Sequence, residues 1–315
     1  MTHRLENSFL LFIRAYTLRA CKQQPYQLTF NTEKTHPPPF FFFFLSILVF
    51  TTSIAGKMSS SRPDETYTLH ITNKNYSSWS LRPWLLLREL SIPFTESLHP
   101  VVPGSYRQPQ WKEFSPVAHV PCLHVRSPSP AGSDSESPPL VLWESLAIVE
   151  FLAEEFPEKK IYPADRAARA WARSAVAEMH ASFACLRSEM GQNVGLRVRI
   201  ERVSPGLEKD LERIGELWEE GLGRFGGPFL AGKEFGAVDA FFAPVVLRLR
   251  TYVGMDRYLT ERGREYAGRI EGLEGVKAWV RDAVAEVWRE EVHDKECEEG
   301  EDGRKVVEDL RAVAK

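Results

Sequence analysis

Cysteine is scarce in this 315-residue chain. Cys21, Cys122, Cys185 and Cys297 stand far apart, with no C-x-x-C and no cluster with histidine. Neither a disulfide framework nor a zinc site is indicated, and a reducing compartment suits such a set. An excess of charge of one sign is missing too: 40 Lys and Arg against 43 Asp and Glu leave a formal net charge of -3. That offers no field to draw a nucleic-acid backbone. There is no G-x-S-x-G and no H-E-x-x-H, so neither a lipase-type elbow nor a zincin is supported. Gly221 to Gly226 fits G-x-G-x-x-G by chance, because it ends a helical pattern and follows no strand. Long apolar runs are absent as well. The strongest, FFFFFLSILVF at 40–50, has eleven residues, short of the roughly 20 that cross a bilayer as a helix.

What is there is globular material. With 43% hydrophobic and 26% charged residues, disorder throughout, a collagen repeat and a polytopic membrane protein are excluded, and the length suits about two domains. Residues 1–65 differ from the rest. Pro37, Pro38 and Pro39 precede the apolar run, and almost forty residues stand where a secretory signal has only a short basic region. Two readings stay open: a membrane or secretory address through 40–56, or translation that begins at Met58 and leaves residues 1–57 out of the protein. Membrane association is expected only if 40–50 is retained; otherwise the expected location is cytoplasmic. Asn75-Tyr76-Ser77 is a glycosylation sequon, which weighs mildly against secretion if Ser77 is functional.

Residues 66–71, TYTLHI, alternate as a strand does, and Ser77 to Leu90 carry an apolar segment at helical spacing behind a serine cluster. A second strand fits 94–99, and Pro100, Pro103 and Gly104 mark a loop before a weak helix at 108–114. The apolar runs 120–125 and 140–143 flank SPSPAGSDSESPP, too rich in Pro and Ser to pack and read as a disordered hairpin insertion over 127–139. An amphipathic stretch, 144–156, stops at Pro157. Residues 66–156 are therefore expected to form a β-α-β-α-β-β-α domain. Beyond it Asp165 suits an N-cap, and Trp171, Ala175, Met179, Phe183, Leu186 and Met190 recur at spacings of three and four, which predicts one long helix. Further helices are predicted through Leu207 to Leu222, Phe241 to Leu249 and Leu273 to Trp288. Residues 165–290 read as all-helical, and the charge-rich 291–315 as a solvated tail with some helix.

This order resembles the glutathione S-transferases, whose thioredoxin-like half is followed by an all-helical one. The resemblance covers nearly all of 66–290. It rests on YSSWSLRPW after the first strand, HVPCL at the third, LWESLAIVEFL from the fourth strand into its helix, and PFLAGKEFGAVDAFFAP in the helical half. The SSWS segment is closest to the SSCS-type serine motif of the zeta class, which includes maleylacetoacetate isomerase. The resemblance implies a detoxifying enzyme that uses glutathione as co-substrate and no metal, acts on a small electrophile and forms a homodimer.

Such an enzyme must stabilise a thiolate, because a thiol with a pKa near 8.5 is only a few per cent ionised at neutral pH. A hydroxyl at a helix start can donate to that anion, and the helix's own N–H groups favour negative charge. Ser77, first in the motif, is the implied catalytic residue, with Ser78 and Ser80 as fallback; equally, a serine there can simply cap the helix. Val120-Pro121 matches the family's cis proline, where the backbone pairs with glutathione as an added strand would. His119 stands where relatives often carry Lys or Arg for the glycyl carboxylate, and a neutral imidazole offers one hydrogen bond and no charge. Glu144 and Ser145 match the pair that holds the γ-glutamyl end. His180 and Arg187, seven apart on the predicted long helix beside Met179 and Phe183, would border the second-substrate pocket; a surface arginine and an interdomain histidine explain them as well. Asp239 matches the family's buried capping aspartate, with Gly236 where Ser or Thr usually caps. Two alternatives to conjugation remain. One is a glutathione-dependent cis-trans isomerase of a maleylacetoacetate-like diacid, favoured if Arg187 anchors a carboxylate; the other is a non-catalytic module that keeps the fold for protein association.

Overall fold

The computed structural model describes residues 65–102, 108–128 and 138–312. The extension 1–57 and most of the 127–139 insertion lie outside the described residues. Strand β1 (Thr66–Ile71) buries Tyr67, Leu69 and Ile71 and turns Thr66, Thr68 and His70 the other way, the period-two pattern of its sequence. It sits inside a four-stranded mixed sheet of order β2-β1-β3-β4. Strand β2 (Thr95–Leu98) runs parallel to it, with Thr68 opposite Thr95; β3 (Cys122–Arg126) is antiparallel to β1, and β4 (Leu140–Trp143) antiparallel to β3. Helix α1 (Ser78–Glu89) crosses from β1 to β2, and α2 (Ser145–Glu155) follows β4 directly. The weak helix predicted at 108–114 is a single 3-10 turn, Pro109–Glu113, with Pro109 at its start.

The helical half begins at α3 (Arg166–Ala181), where Asp165 caps by accepting from Ala168 N at 2.8 Å. The single long helix predicted here is two. The chain breaks at Ser182, Phe183 takes a left-handed φ of 63°, and a short α4 (Ala184–Glu189) resumes. The break goes with a cap: the Arg187 guanidinium turns back to donate to the carbonyls of Met179, His180 and Ser182, the last at 3.1 Å, groups that an unbroken helix would have bonded internally. Next come β5 (Leu196–Arg199), α5 (Pro205–Phe225) and α6 (Ala237–Thr251), the last buried at nearly every residue. Helices α7 (Glu261–Glu271) and α8 (Glu274–Ala285) complete the half. Val287 and Trp288, predicted to extend the apolar face of α8, lie past its end and are exposed. α1 contacts α2 of its own half and α6 and α8 of the other, which accounts for a helix buried at nearly every residue from Ser78 to Leu87.

The segment from 291 carries the helix expected of it and, besides, a strand whose residues are all exposed. It forms α9 (Glu291–Glu298) and β6 (Lys305–Asp309), and β6 pairs antiparallel with β5 across a register irregularity at Arg197 and Val198. Its charges are spent on one another. Arg311 reaches Asp294 at 2.6 Å, Asp309 at 2.7 Å and Glu298 at 3.0 Å, and Arg304 reaches Asp302 at 2.6 Å. Among the described residues no helix is long and apolar enough to cross a membrane. The architecture is a thioredoxin-like domain with a mixed sheet followed by a helical domain.

Candidate active site

The loop Asn73–Ser77, between β1 and α1, is held from every side. Tyr76 N and Ser77 N donate to Asn73 O at 3.2 and 3.0 Å. Glu286 accepts from Lys74 N at 2.6 Å through one carboxylate oxygen and from Asn75 N at 3.2 Å through the other. Trp279 Nε1 donates to Lys74 O at 2.9 Å, and the Asn75 side chain bridges Gly195 N and Asn193 Oδ1. Lys74, buried, pairs with Glu96 and Asp282, each at 2.9 Å. Tyr76 donates to Asp294 Oδ1 at 3.0 Å, and burial with that carboxylate beside it pushes the phenol up to about 12.

This loop delivers Ser77 to the head of α1 as its N-cap. Its Oγ accepts from Ser80 N at 3.2 Å and lies 2.8 Å from Ser80 Oγ. Ser77 is half-buried, whereas Ser78 and Ser80 are 5% and 0% exposed, so of the three serines Ser77 is the most open to solvent. Ser78 Oγ is instead an acceptor for Arg248 Nη2 at 3.4 Å.

Just before β3, Val120-Pro121 is cis, with Pro121 buried and Val120 half-buried. His119 is exposed, and only its main chain is fixed, by Ser115 Oγ at 3.3 Å. At the β4–α2 junction Glu144 adopts φ 72°, a conformation that non-glycine residues hold only under strain. Its carboxylate projects outward, 3.9 Å from His180 Nε2. Ser145 is 1% exposed and its Oγ has no partner among the described residues, an unfilled donor at the first turn of α2. Strain at one residue thus stands beside an unpartnered hydroxyl at the next.

The four residues expected around the second-substrate pocket do not share a face. Met179 and Phe183 are 2% and 4% exposed and belong to the core. The helix break moves Arg187 off the face of His180 and engages its Nε and Nη2 with main-chain carbonyls. Both do meet at Trp79: the Arg187 guanidinium lies 4.8 Å from its ring centroid and the His180 ring 5.4 Å, edge-on. Burial first, and the nearby Arg82 second, depress the His180 pKa. Arg82, Trp79 and Arg248 escaped the sequence reading. The one available signal was a charge, Arg82, inside the otherwise apolar LRPWLLL. Asp239 stands apart from the site. Its Oδ2 accepts from Gly236 N at 2.9 Å, and its Oδ1 from Leu230 N at 3.0 Å and from Tyr266 Oη at 3.1 Å, so it ties the start of α6 to the turn before it and to α7. Among the described residues no cluster of His, Cys, Asp and Glu could hold a metal.

Comparison with known proteins matches residues 76–155 to the family described as glutathione S-transferase, N-terminal domain, and 199–282 to glutathione S-transferase, C-terminal domain, together just over half of the chain. The chain is 24% identical over 204 residues to glutathione S-transferase 1 of Dianthus caryophyllus, covering 63% of this chain and 84% of that one. It is 26% identical over 201 residues to pyrimidodiazepine synthase of Drosophila melanogaster, covering 63% and 69%. The crystal structure of glutathione transferase Omega 2S from Trametes versicolor, in complex with 2,4-dihydroxybenzophenone, is similar in fold, with a TM-score of 0.51 at 22% identity over 70% of this chain and 96% of that one.

Proposed function

This chain belongs to the glutathione S-transferase family, and on that footing we propose that it binds glutathione and transfers it to a small electrophile, with Ser77 stabilising the thiolate. The observation that carries the reading is the position of Ser77: a half-buried hydroxyl on the N-cap of α1, beside two serines that are closed to solvent. There the hydroxyl can rotate from Ser80 Oγ to the sulfur, and Ser80 can donate in turn to Ser77 Oγ, so that two hydroxyls polarise one another toward the anion. The positive end of the α1 dipole adds to it. Lowering the thiol pKa by about two units takes about 2.7 kcal/mol from these sources together.

The rest of the tripeptide follows the same logic. Ser145 Oγ and the α2 N-terminus suit the γ-glutamyl carboxylate, and the exposed Glu144 carboxylate suits its ammonium. The main chain at Val120-Pro121 suits pairing with the cysteinyl residue. Assembly as a homodimer belongs to the same proposal. The isomerase reading draws on Arg187 as a carboxylate anchor; its Nε and Nη2 are held by main-chain carbonyls, which leaves Nη1 for that role among the described residues.

The test is the ultraviolet difference spectrum of bound glutathione against pH, for the protein and its Ser77→Ala variant. A thiol pKa well below 8.5 that reverts in the variant is the expected result. Full conjugating activity in Ser77→Ala with glutathione still bound removes Ser77 from the mechanism, and glutathione binding without turnover of any electrophile makes the protein a binding module.

A further inference from the structure

Arg82 is the anomaly of the interior. It sits on α1 five residues past Ser77, is 0% exposed, and its Nε, Nη1 and Nη2 have no hydrogen-bond partner among the described residues. Two ring faces cover it, Trp79 at 4.2 Å and Phe241 at 4.7 Å from the guanidinium carbon. Aromatic faces offset part of a cation's desolvation but accept none of its five N–H groups. Its neighbours aggravate the charge: burial, then Arg187 and Arg248, push its pKa well below the usual value, and only Glu144 acts the other way. Arg187 and Arg248 are each hydrogen-bonded, Arg248 to Met190 O and Gln192 Oε1 at 3.2 Å; Arg82 is not. A second orphan lies across the same indole. His180 meets Trp79 edge-on, and its Nδ1 is buried without a partner. A buried charge left unpaired is strongly destabilising, and a guanidinium keeps its proton, so the missing partner is an anion that the chain does not supply.

We propose that Arg82, with His180 beside it, recognises a carboxylate on the electrophilic second substrate, and that the half-exposed Trp79 is the roof which this group displaces as it enters. The inference rests on the transferase reading and narrows it to acidic electrophiles. Three placements support a substrate carboxylate. Trp79, which covers the Arg82 guanidinium, belongs to the first turn of α1 that Ser77 caps, so both sites are built on the head of one helix. The planar guanidinium matches a carboxylate edge to edge. The γ-glutamyl carboxylate of glutathione already has Ser145 and the α2 terminus. The other carboxylate within reach is the glycyl end of glutathione, whose usual cation is replaced by His119; the experiment separates the two sources.

The experiment compares chlorodinitrobenzoate with its methyl ester as electrophiles, for the protein and for Arg82→Met, which keeps the length of the side chain and removes the charge. The acid-to-ester ratio of kcat/KM is expected to fall by about 10- to 100-fold in the variant, the loss of a charge-assisted hydrogen bond, mainly through KM for the acid and with KM for glutathione unchanged. An unchanged ratio overturns the proposal, and so does a raised KM for glutathione, which would give Arg82 to the glycyl end. Calorimetric titration of the unmodified protein with nitrobenzoate and with its methyl ester needs neither variant nor turnover. Preference for the acid is the expected result, and equal or absent binding overturns the proposal even where the variant does not fold. If the acid binds but neither electrophile is conjugated, the transferase reading has failed and the anion site stands.

Discussion

A fully buried carboxylate is tolerable only when its oxygens are occupied, and those of Asp239 hold three donors from three places in the helical half. Burial raises its pKa to about 6, so it is still largely ionised at neutral pH. Asp239→Ala strands two main-chain N–H groups and the Tyr266 hydroxyl at once, and is expected to lower unfolding stability by about 3 kcal/mol or more, read from urea denaturation. His70 sets a pH dependence. It packs against Phe114 at 4.6 Å and His124 at 4.4 Å between ring centroids, its Nδ1 is 3.0 Å from His99 Nε2, and burial with those two histidines pushes it down to about 4. An unfolded chain takes up this proton from about pH 6.5 downward and the folded one only near pH 4, so the stability that neutral His70 contributes is lost as pH falls through that interval. Asp239, raised above its unfolded value, works in the opposite sense over much of the same range. The difference between the protein and His70→Phe isolates the histidine: the variant's urea midpoint should decline less between pH 6.5 and 4.

At the scale of elements, Glu286 is the first residue beyond α8 and one of the strongest holds on the loop that carries Ser77. The matched family region ends at residue 282, so this hold comes from the chain that follows it. In Glu286→Gln one N–H of the loop faces an amide NH2 instead of a carboxylate oxygen. The expected outcome is a folded protein whose bound glutathione thiol has a higher pKa and whose kcat/KM drops about five- to tenfold, since the loop places the hydroxyl less firmly. A lowered melting temperature with unchanged thiol pKa and kcat/KM would reduce Glu286 to a stability role. The break between α3 and α4 shows why such elements resist sequence reading. Met179, Phe183, Leu186 and Met190 keep helical spacing straight through it and all are buried, because both helices bury the same stripe. Periodicity reports the burial; the break depends on the φ of one residue.

Over the whole molecule, what was legible was what short segments dictate by themselves: the alternation of β1, the serine at the head of α1, the Asp165 cap and the change from mixed α/β to helix. What escaped depends on residues distant in sequence. Arg82 was visible as a charge in an apolar helix, but its isolation is a property of Trp79, Phe241 and the two other arginines together. The charges after residue 290 look the same in a string of letters whether they meet water or one another. The contact between Lys74 and Glu286 joins positions 212 residues apart. At translation speeds of roughly 5–20 residues per second, that carboxylate leaves the ribosome about 10–40 s after the loop it will grip. The half that carries Ser77 is therefore made first and finished last, and the newborn chain passes through an interval in which the sheet can pair while the head of α1 still waits for its fastening.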